Sequence, residues 1–508
     1  MNRRAADAPR AGRREWIGLG VIALPCLLYS MDLTVLNLAV PKLSADLRPT
    51  SAQLLWIVDI YGFVLAGFLI PMGTLGDRIG RRRLLLIGAA AFSVASVFAA
   101  FSRSAAMLIV ARAVLGVAGA TLAPSTLSLI RNMFLDPQQR TTAIGVWITS
   151  YSVGGAIGPL LGGVLLSHFW WGSVFLIGVP VMVLLLVVGP ILLPEFRDPN
   201  AGRIDLMSAI MSLATVLLVI YGIKQIAQGN RGWLPAASIV AGVGVGTAFV
   251  ARQRALADPL IDLRLFRSRA FSVALGAYTL ATFVAFGIFL FIGQYLQLVR
   301  GLTPLAAGVS TMPIMIAFIV GSMVVPLLAR RIQPARLMGV GLGVSAIGFL
   351  MLTAVGAGSG LLLVVTGSLV YALGLAPVFT LATDTLVGAA PPERAGAASA
   401  LSETGSELGG ALGIAVLGSV GTAVYRRAMV HGVPSALSHT AGEAARGTLG
   451  GAIAVAQQLP AALATELVGA AREAFTLSLA LTAAASAIVV IATAVVVTVS
   501  LRNPQVAS

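Results

Sequence analysis

Apolar runs of about 20 residues recur along the whole chain, separated by short polar or arginine-bearing connections. They lie near residues 16–41, 54–74, 84–102, 105–130, 141–166, 172–194, 205–224, 233–251, 270–298, 305–329, 335–356, 359–388, 397–423 and 474–500. Each run is apolar on all sides. That pattern predicts buried or lipid-facing α-helices and argues against a β-barrel, whose strands would alternate. About 14 spans follow, and an even number leaves both termini on one side of the membrane.

Composition supports this. Of 508 residues, 58% are hydrophobic and only 10% charged, more apolar surface than a soluble chain of this length could hide. A formal charge of +15 would point to nucleic acid in a soluble protein. Here the arginines cluster in short loops without interleaved aromatics, so the charge reports topology and no nucleic-acid partner is expected. The N-terminus, alternate loops and C-terminus on one side hold about 23 of the 34 basic residues. These include Arg10, Arg13, Arg14, Arg264, Arg267 and Arg269. The excess predicts that both termini are cytoplasmic. The arginine-rich N-terminus runs into a long apolar span without a small-residue cleavage site, predicting a retained first helix. A single cysteine, Cys26, and three scattered histidines exclude an intramolecular disulfide and offer no metal-ligand spacing.

One connection is long. Residues 424–473, rich in Ala and Gly, are expected to form short helices at 440–456 and 460–473, a hairpin on the extracytoplasmic face, with a disordered tether as the alternative. The chain also repeats itself. The loop Gly73 to Leu84 has a worn copy at Arg330 to Leu337, and Val153-Gly-Gly-Ala-Ile-Gly158 is matched by Leu408-Gly-Gly-Ala-Leu-Gly413. Both matches relate spans one to six to spans nine to fourteen. The expected organisation is a six-helix bundle over 1–200, an inserted helix pair over 201–255 and a second bundle over 256–508, with the central site between bundles.

Five acidic residues, Asp32, Asp59, Asp384, Glu403 and Glu407, interrupt apolar spans. Each would cost roughly 2.5–3.5 kcal/mol at the bilayer centre, so each needs a protected interior and a task. Rise per residue places Asp32 roughly 22 Å from the inner start of its helix and Asp59 roughly 8–10 Å below the outer surface, with Arg112 at comparable depth. Asp32 therefore has two readings, a structural pair with Arg112 or a proton-coupling site. Asp59 is flanked by Trp56 and Tyr61, whose rings could support a cationic ligand. Glu403 and Glu407 are four apart on one helix face, where two carboxylates disfavour joint ionisation and so suit proton exchange. Asp384, near the inner end of span twelve, reads as a snorkelling or capping residue. Around Asp77, charge pairs with helix ends and the other half would latch the cytoplasmic side, unless the arginines serve topology alone. The glycines of span five permit close approach and Pro159 loosens the helix; a sliding contact between halves needs such a surface, though ordinary packing would use it too.

Four motifs carry a family resemblance over nearly the whole chain. They are Gly73-x-Leu75-x-Asp77-Arg78-x-Gly80-Arg81-Arg82, Arg112 with Gly116, Gly154-x-x-x-Gly158-Pro159-x-x-Gly162-Gly163, and Asp32-x-Thr34-x-x-Asn37-x-Ala39-x-Pro41. With them the chain resembles the major facilitator superfamily, in its 14-span drug:proton antiporter branch. It is similar there to exporters of quaternary ammonium compounds and dyes, which share an acid at the Asp59 position. The resemblance implies an all-α membrane protein of two six-helix bundles plus two inserted helices, in a bacterial inner membrane and monomeric. It implies export of lipophilic cationic drugs, with fluoroquinolones a further class, driven by the proton gradient without a cofactor. Proton coupling and binding would fall to Asp32, Asp59, Glu403, Glu407, Arg112, Trp56 and Tyr61. The conformational change would fall to Asp77, Arg78, Gly80, Arg81, Gly154, Gly158 and Pro159. Some multidrug relatives carry a further acid in span ten; here that position is Phe318, which argues against strong transport of divalent cations. A dedicated exporter of an endogenous antibiotic, lipid or siderophore, or a non-transporting membrane sensor, are the alternatives. No nucleophile–base constellation marks an enzyme.

Overall fold

The structure is a computed structural model. It describes residues 9–47, 49, 51–197, 205–227, 232–256, 259–261, 263–302, 304–358, 360–390, 395–430, 432–434 and 437–501. Its helices in chain order are α1 (Arg13–Leu47), α2 (Ser51–Ile79), α3 (Arg81–Ala100), α4 (Ala105–Gly119), α5 (Leu122–Met133) and α6 (Pro137–His168). There follow α7 (Ser173–Leu176), α8 (Gly178–Leu192), α9 (Leu206–Ala227), α10 (Trp233–Ala255), α11 (Arg269–Gln294) and α12 (Pro304–Leu328). The last are α13 (Pro334–Thr353), α14 (Leu361–Ala389), α15 (Ala395–Ala428), α16 (His439–Gly447), α17 (Leu449–Ala456) and α18 (Ala461–Ser500). Thirteen segments among the described residues are long and apolar enough to cross a membrane, α4 joining α5 and α7 joining α8 as single crossings. With the 32-residue α6 they make the expected fourteen.

Local chemistry sets the helix starts. Ser104, Asp136, Ser268, Ser438 and Thr448 each accept the backbone N–H three residues on, and Pro137 follows Asp136 at a position that needs no donor. Two hydrophobic cores then form. One gathers Leu19 to Leu193 from α1–α8, with Val387 of α14; the other runs from Phe271 to Val497 and adds Ile70, Phe249 and Ile261. These are the two six-helix bundles. The inserted pair α9–α10 flanks them, with Phe249 of α10 in the second core and Ile220 of α9 packed on Phe63 and Ala66 of α2.

The bundles repeat one packing device. A Cβ at Gly154 would overlap the carbonyl of Leu27 on α1, and one at Gly409 or Gly413 would overlap the carbonyls of Thr279 or Phe283 on α11. In both copies the glycines bring two helix backbones together within a bundle. This corrects the expectation of a smooth surface between halves: Gly154 and Gly162 face α1, Gly162 against Val35, inside their own bundle. Gly158 is buried on the same helix, and the side chain of Pro159 lies outside the described ones. The glycine of α6 that meets the other bundle is Gly145, beside the Ser322 carbonyl and Pro326 of α12.

The long connection is helical but is divided differently from the expected hairpin. Thr448, in extended conformation, caps α17 and splits the first segment into α16 and α17. The second segment is no separate helix, because no breaker interrupts 461–500 and α18 runs unbroken for 40 residues. At 1.5 Å per residue it is about 60 Å long, twice the hydrocarbon core. Tyr425 donates to the Ala445 carbonyl at 3.0 Å, and Arg472 to the Leu298 carbonyl at 3.3 Å, seating this cap on the second bundle.

Gly154→Leu should leave little folded protein, while the milder Gly154→Ala should cost about 1–3 kcal/mol by overpacking. Thermal melting of the purified variants checks both.

Candidate functional site

Between the bundles, α1, α2, α4, α6, α14 and α15 bring together most of the singled-out residues. Arg112 of α4 is only 1% exposed, and its Nη1 lies 3.3 Å from Asp32 Oδ2. The same guanidinium donates to the Val58 carbonyl at 3.4 Å and sits 5.1 Å from the Tyr61 ring centroid and 6.0 Å from that of Phe175. Asp32 is thus matched by a buried cation that is itself held on three further sides. Tyr61 is fully buried, and its hydroxyl has no hydrogen-bond partner among the described residues. The side chains of Asp59, Thr34, Asn37 and Pro41 lie outside the described ones.

Trp56 is not brought to Tyr61. It is 43% exposed and pairs with Phe63 at 6.2 Å, on the side of α2 that faces the inserted helices. Tyr61 points instead to α4, where Gly119 lies beside its ring. Five residues apart on a helix is a rotation of about 140°, so one ligand cannot use both rings as neighbours.

The second acidic pair enters from α15. Rise per residue puts Glu403 about 12 Å and Glu407 about 18 Å from the start of that helix, near mid-membrane. Tyr29 of α1 donates its hydroxyl to Glu407 Oε1 at 2.9 Å, a bond from one bundle to the other. Glu403 is 8% exposed, and its Oε1 has no hydrogen-bond partner among the described residues. A buried carboxylate oxygen with no donor is rare in a folded protein.

Aromatic rings surround these acids. Trp147 meets Tyr151 at 4.7 Å, Tyr151 meets Tyr29 at 5.4 Å and Tyr29 meets Tyr61 at 6.4 Å, forming a row in the first bundle. In the second, Phe379 lies 5.2 Å from Tyr278 and 5.3 Å from Phe318, and both phenylalanines pack against both cores. Tyr29 and Tyr151 were missed from sequence. A signal did exist, since Tyr29 lies one helical turn before Asp32 and Tyr151 one turn before Gly154.

The arginine-rich face is closed by contacts between bundles. Asp77 pairs with Arg81, and its Oδ2 accepts the backbone N–H of Ala397, in the first turn of α15. An unpaired N–H at a helix start is a natural seat for a carboxylate. Gly80 turns the chain with φ +112°, and a Cβ there would strike Glu195, which accepts the N–H groups of Arg82 and Arg83 at 3.0 and 3.1 Å. Arg78 closes the last turn of α2. Asp384 departs from its sequence reading. It neither snorkels nor caps, but takes Arg140 Nε at 2.5 Å and the Thr141 hydroxyl at 2.7 Å, both from α6 of the other bundle.

Two helix bundles meeting at a central acidic and aromatic site follow the two-bundle plan of membrane transporters. The chain belongs to the Major Facilitator Superfamily, whose family model matches residues 22–414. It is 45% identical over 474 residues to the multidrug efflux pump LfrA of Mycolicibacterium smegmatis, spanning 93% of this chain and 94% of that protein. It is 36% identical over 476 residues to the methyl viologen resistance protein SmvA of Salmonella typhimurium, spanning 92% and 94%. Among solved structures, the human organic anion transporter MFSD10 shares the fold with a TM-score of 0.60 at 17% identity, covering 94% of this chain and 99% of that one. The protein is a multi-pass membrane transporter and not an enzyme.

Removing the inter-bundle pair should unbalance transport. Arg140→Ala or Asp384→Asn should each slow transport by roughly tenfold, and the exchanged pair Arg140→Asp with Asp384→Arg should recover part of it. Flux measured on matched amounts of folded protein decides this.

Proposed function

We propose that this protein is a bacterial inner-membrane multidrug exporter that exchanges protons for lipophilic organic cations, with both termini cytoplasmic. Quaternary ammonium compounds and dyes are the leading substrates, and fluoroquinolones a further class. The observation that carries the reading is the Glu403–Glu407 pair: two carboxylates one turn apart, one with an oxygen lacking a donor, the other held by Tyr29 from the opposite bundle. Such a pair holds a proton or a cation more readily than it holds two negative charges. Flat apolar rings around it suit lipophilic cations of varied shape, which need area and charge complementarity more than directed hydrogen bonds.

In this cycle the outward-open site takes protons onto Glu403 and Glu407, with Asp59 a further acid of α2. Opening of the arginine-rich face then admits a cation, which displaces the protons. Asp32 serves a different purpose. Its match to Arg112 keeps the first bundle's polar centre neutral, so it positions Tyr61 and α2 rather than exchanging protons itself. Asp77, Arg78, Gly80 and Arg81 latch the cytoplasmic side, and Gly154, Gly158 and Pro159 hold α6 against α1 as that bundle rocks. The relatives named above for multidrug efflux and methyl viologen resistance support a cationic drug cargo. The working unit is a single chain, and no cofactor is required beyond the proton gradient.

Reconstituted protein should move ethidium when a pH gradient is imposed across the liposome. Glu403→Gln and Glu407→Gln should each reduce proton-driven flux at least roughly tenfold, and Asp59→Asn should reduce flux of divalent more than monovalent dyes. Absence of gradient-dependent dye movement by the unmodified protein would sink the proposal. Tyr29→Phe frees Glu407 from an internal donor, so the dye KM should fall roughly two- to tenfold, an effect that Glu407→Gln should erase. Steady-state flux at varied dye concentration reads both.

A further inference from the structure

The inserted pair α9–α10 carries none of the central acids, yet its ends on the arginine-rich face hold a chain of hydrogen bonds that runs from a part-exposed ion pair into buried groups. Asp205, just before α9, accepts from Arg252 Nε at 2.8 Å and from Ser208 Oγ at 2.7 Å. The Arg252 guanidinium holds the Asp205 carboxyl well below the usual carboxylate range, so this end of the chain stays charged. Ser208 accepts from Gln253 Nε2 at 2.7 Å, and Gln253 Oε1 accepts the N–H of Leu260 at 2.7 Å and that of Ile261 at 3.4 Å. The Thr74 hydroxyl lies 3.2 Å from the Leu260 carbonyl and 3.2 Å from the Ile70 carbonyl of its own helix, so its one proton is shared between the linker and α2. Thr74, Ser208, Gln253, Leu260 and Ile261 are all buried.

This chain joins parts that have to separate. Thr74 lies on α2, one turn before Asp77, whose contact with α15 closes this face. Leu260 and Ile261 lead through a 3-10 turn at Leu263–Arg267 into α11, and Ile261 belongs to the second core. When the face opens, α2 moves with the first bundle and the Leu260 segment with the second. The buried Leu260 N–H and C=O each need a partner. Gln253 supplies one and thereby fixes where the other points.

We propose that Gln253 is a positioning residue of the gate on the arginine-rich face: it holds the Leu260 backbone where Thr74 binds it, so that the inserted helices strap the two bundles together beside the Asp77 contact. The inserted pair is then an anchor for closure and not merely added bulk. The strap requires that the bundles part on this face, and it is independent of the cargo.

Spin labels at Gln138→Cys and Arg331→Cys, one on each bundle, placed in a Cys26→Ser background of the full chain, report the width of this face by pulsed electron resonance. Gln253→Leu and Thr74→Val should each raise the ratio of long to short distances roughly three- to tenfold, the range for loss of one buried neutral hydrogen bond. The double variant should do no more than the larger single effect, because both break one strap. Thr74→Ser, which keeps the hydroxyl, should restore the original distribution and guards against misfolding as the cause. Unchanged distributions in Gln253→Leu and Thr74→Val, or full additivity in the double variant, would overturn the strap.

Discussion

A carboxylate inside a bundle without bulk water has to be matched by a cation, by hydrogen-bond donors or by a proton, and the choice of match sorts this molecule's acids by role. Asp32 is matched within its own bundle, by a guanidinium that two rings and a carbonyl also hold. Asp77 is matched by Arg81 of its own bundle and also by the start of α15, and Asp384 is matched across the line between bundles by Arg140. Glu403 keeps an oxygen without a donor, and Glu407 is held by a tyrosine hydroxyl from the other side. The first match lies within one bundle, the second joins the two bundles, and in the proposed exporter the third leaves room for an exchangeable partner.

Small residues make those placements possible. Where Gly154, Gly409 and Gly413 bring helix backbones together, α1 packs closely on α6 and α11 on α15. Tyr29 on α1 and Glu407 on α15 therefore sit on closely packed helices, and their bond reports the relation between bundles. Gly154, Gly409 and Gly413 point inward to their own bundles, while Gly145 meets α12 across the line between them. The interface between bundles is also built from groups that can trade partners: carboxylates, hydroxyls, a guanidinium and the rings of Phe318 and Phe379.

Much of this was legible along the chain. The spans were, since apolar length reports the bilayer directly; so was the common depth of Asp32 and Arg112, since depth follows from rise per residue, though their pairing stayed one of two readings. The repeat was also legible, because Gly154 and Gly409 serve the same contact in each copy. Three features were not. Trp56 and Tyr61 are near in sequence but turn to different neighbours, which helix rotation permits and only packing selects. Asp384 reads alone as a residue near a helix end; its partner is 244 positions away. Gln253 reads as an ordinary polar residue after an apolar span, and the linker backbone it serves has no sequence signature.

By itself the sequence determined the class of molecule, the number of helices, the arginine-rich face and the list of costly charges, because each of these follows from local composition and the thickness of a bilayer. Tertiary structure decided which charge meets which partner: Asp32 with Arg112 within one bundle, Asp384 with Arg140 across the bundles, Tyr29 with Glu407 at the centre. The physical reason is range. Burial cost is a property of one residue in one span, whereas a counter-charge or a donor works only within hydrogen-bond distance, and that distance is set by how helices far apart in the chain come to pack.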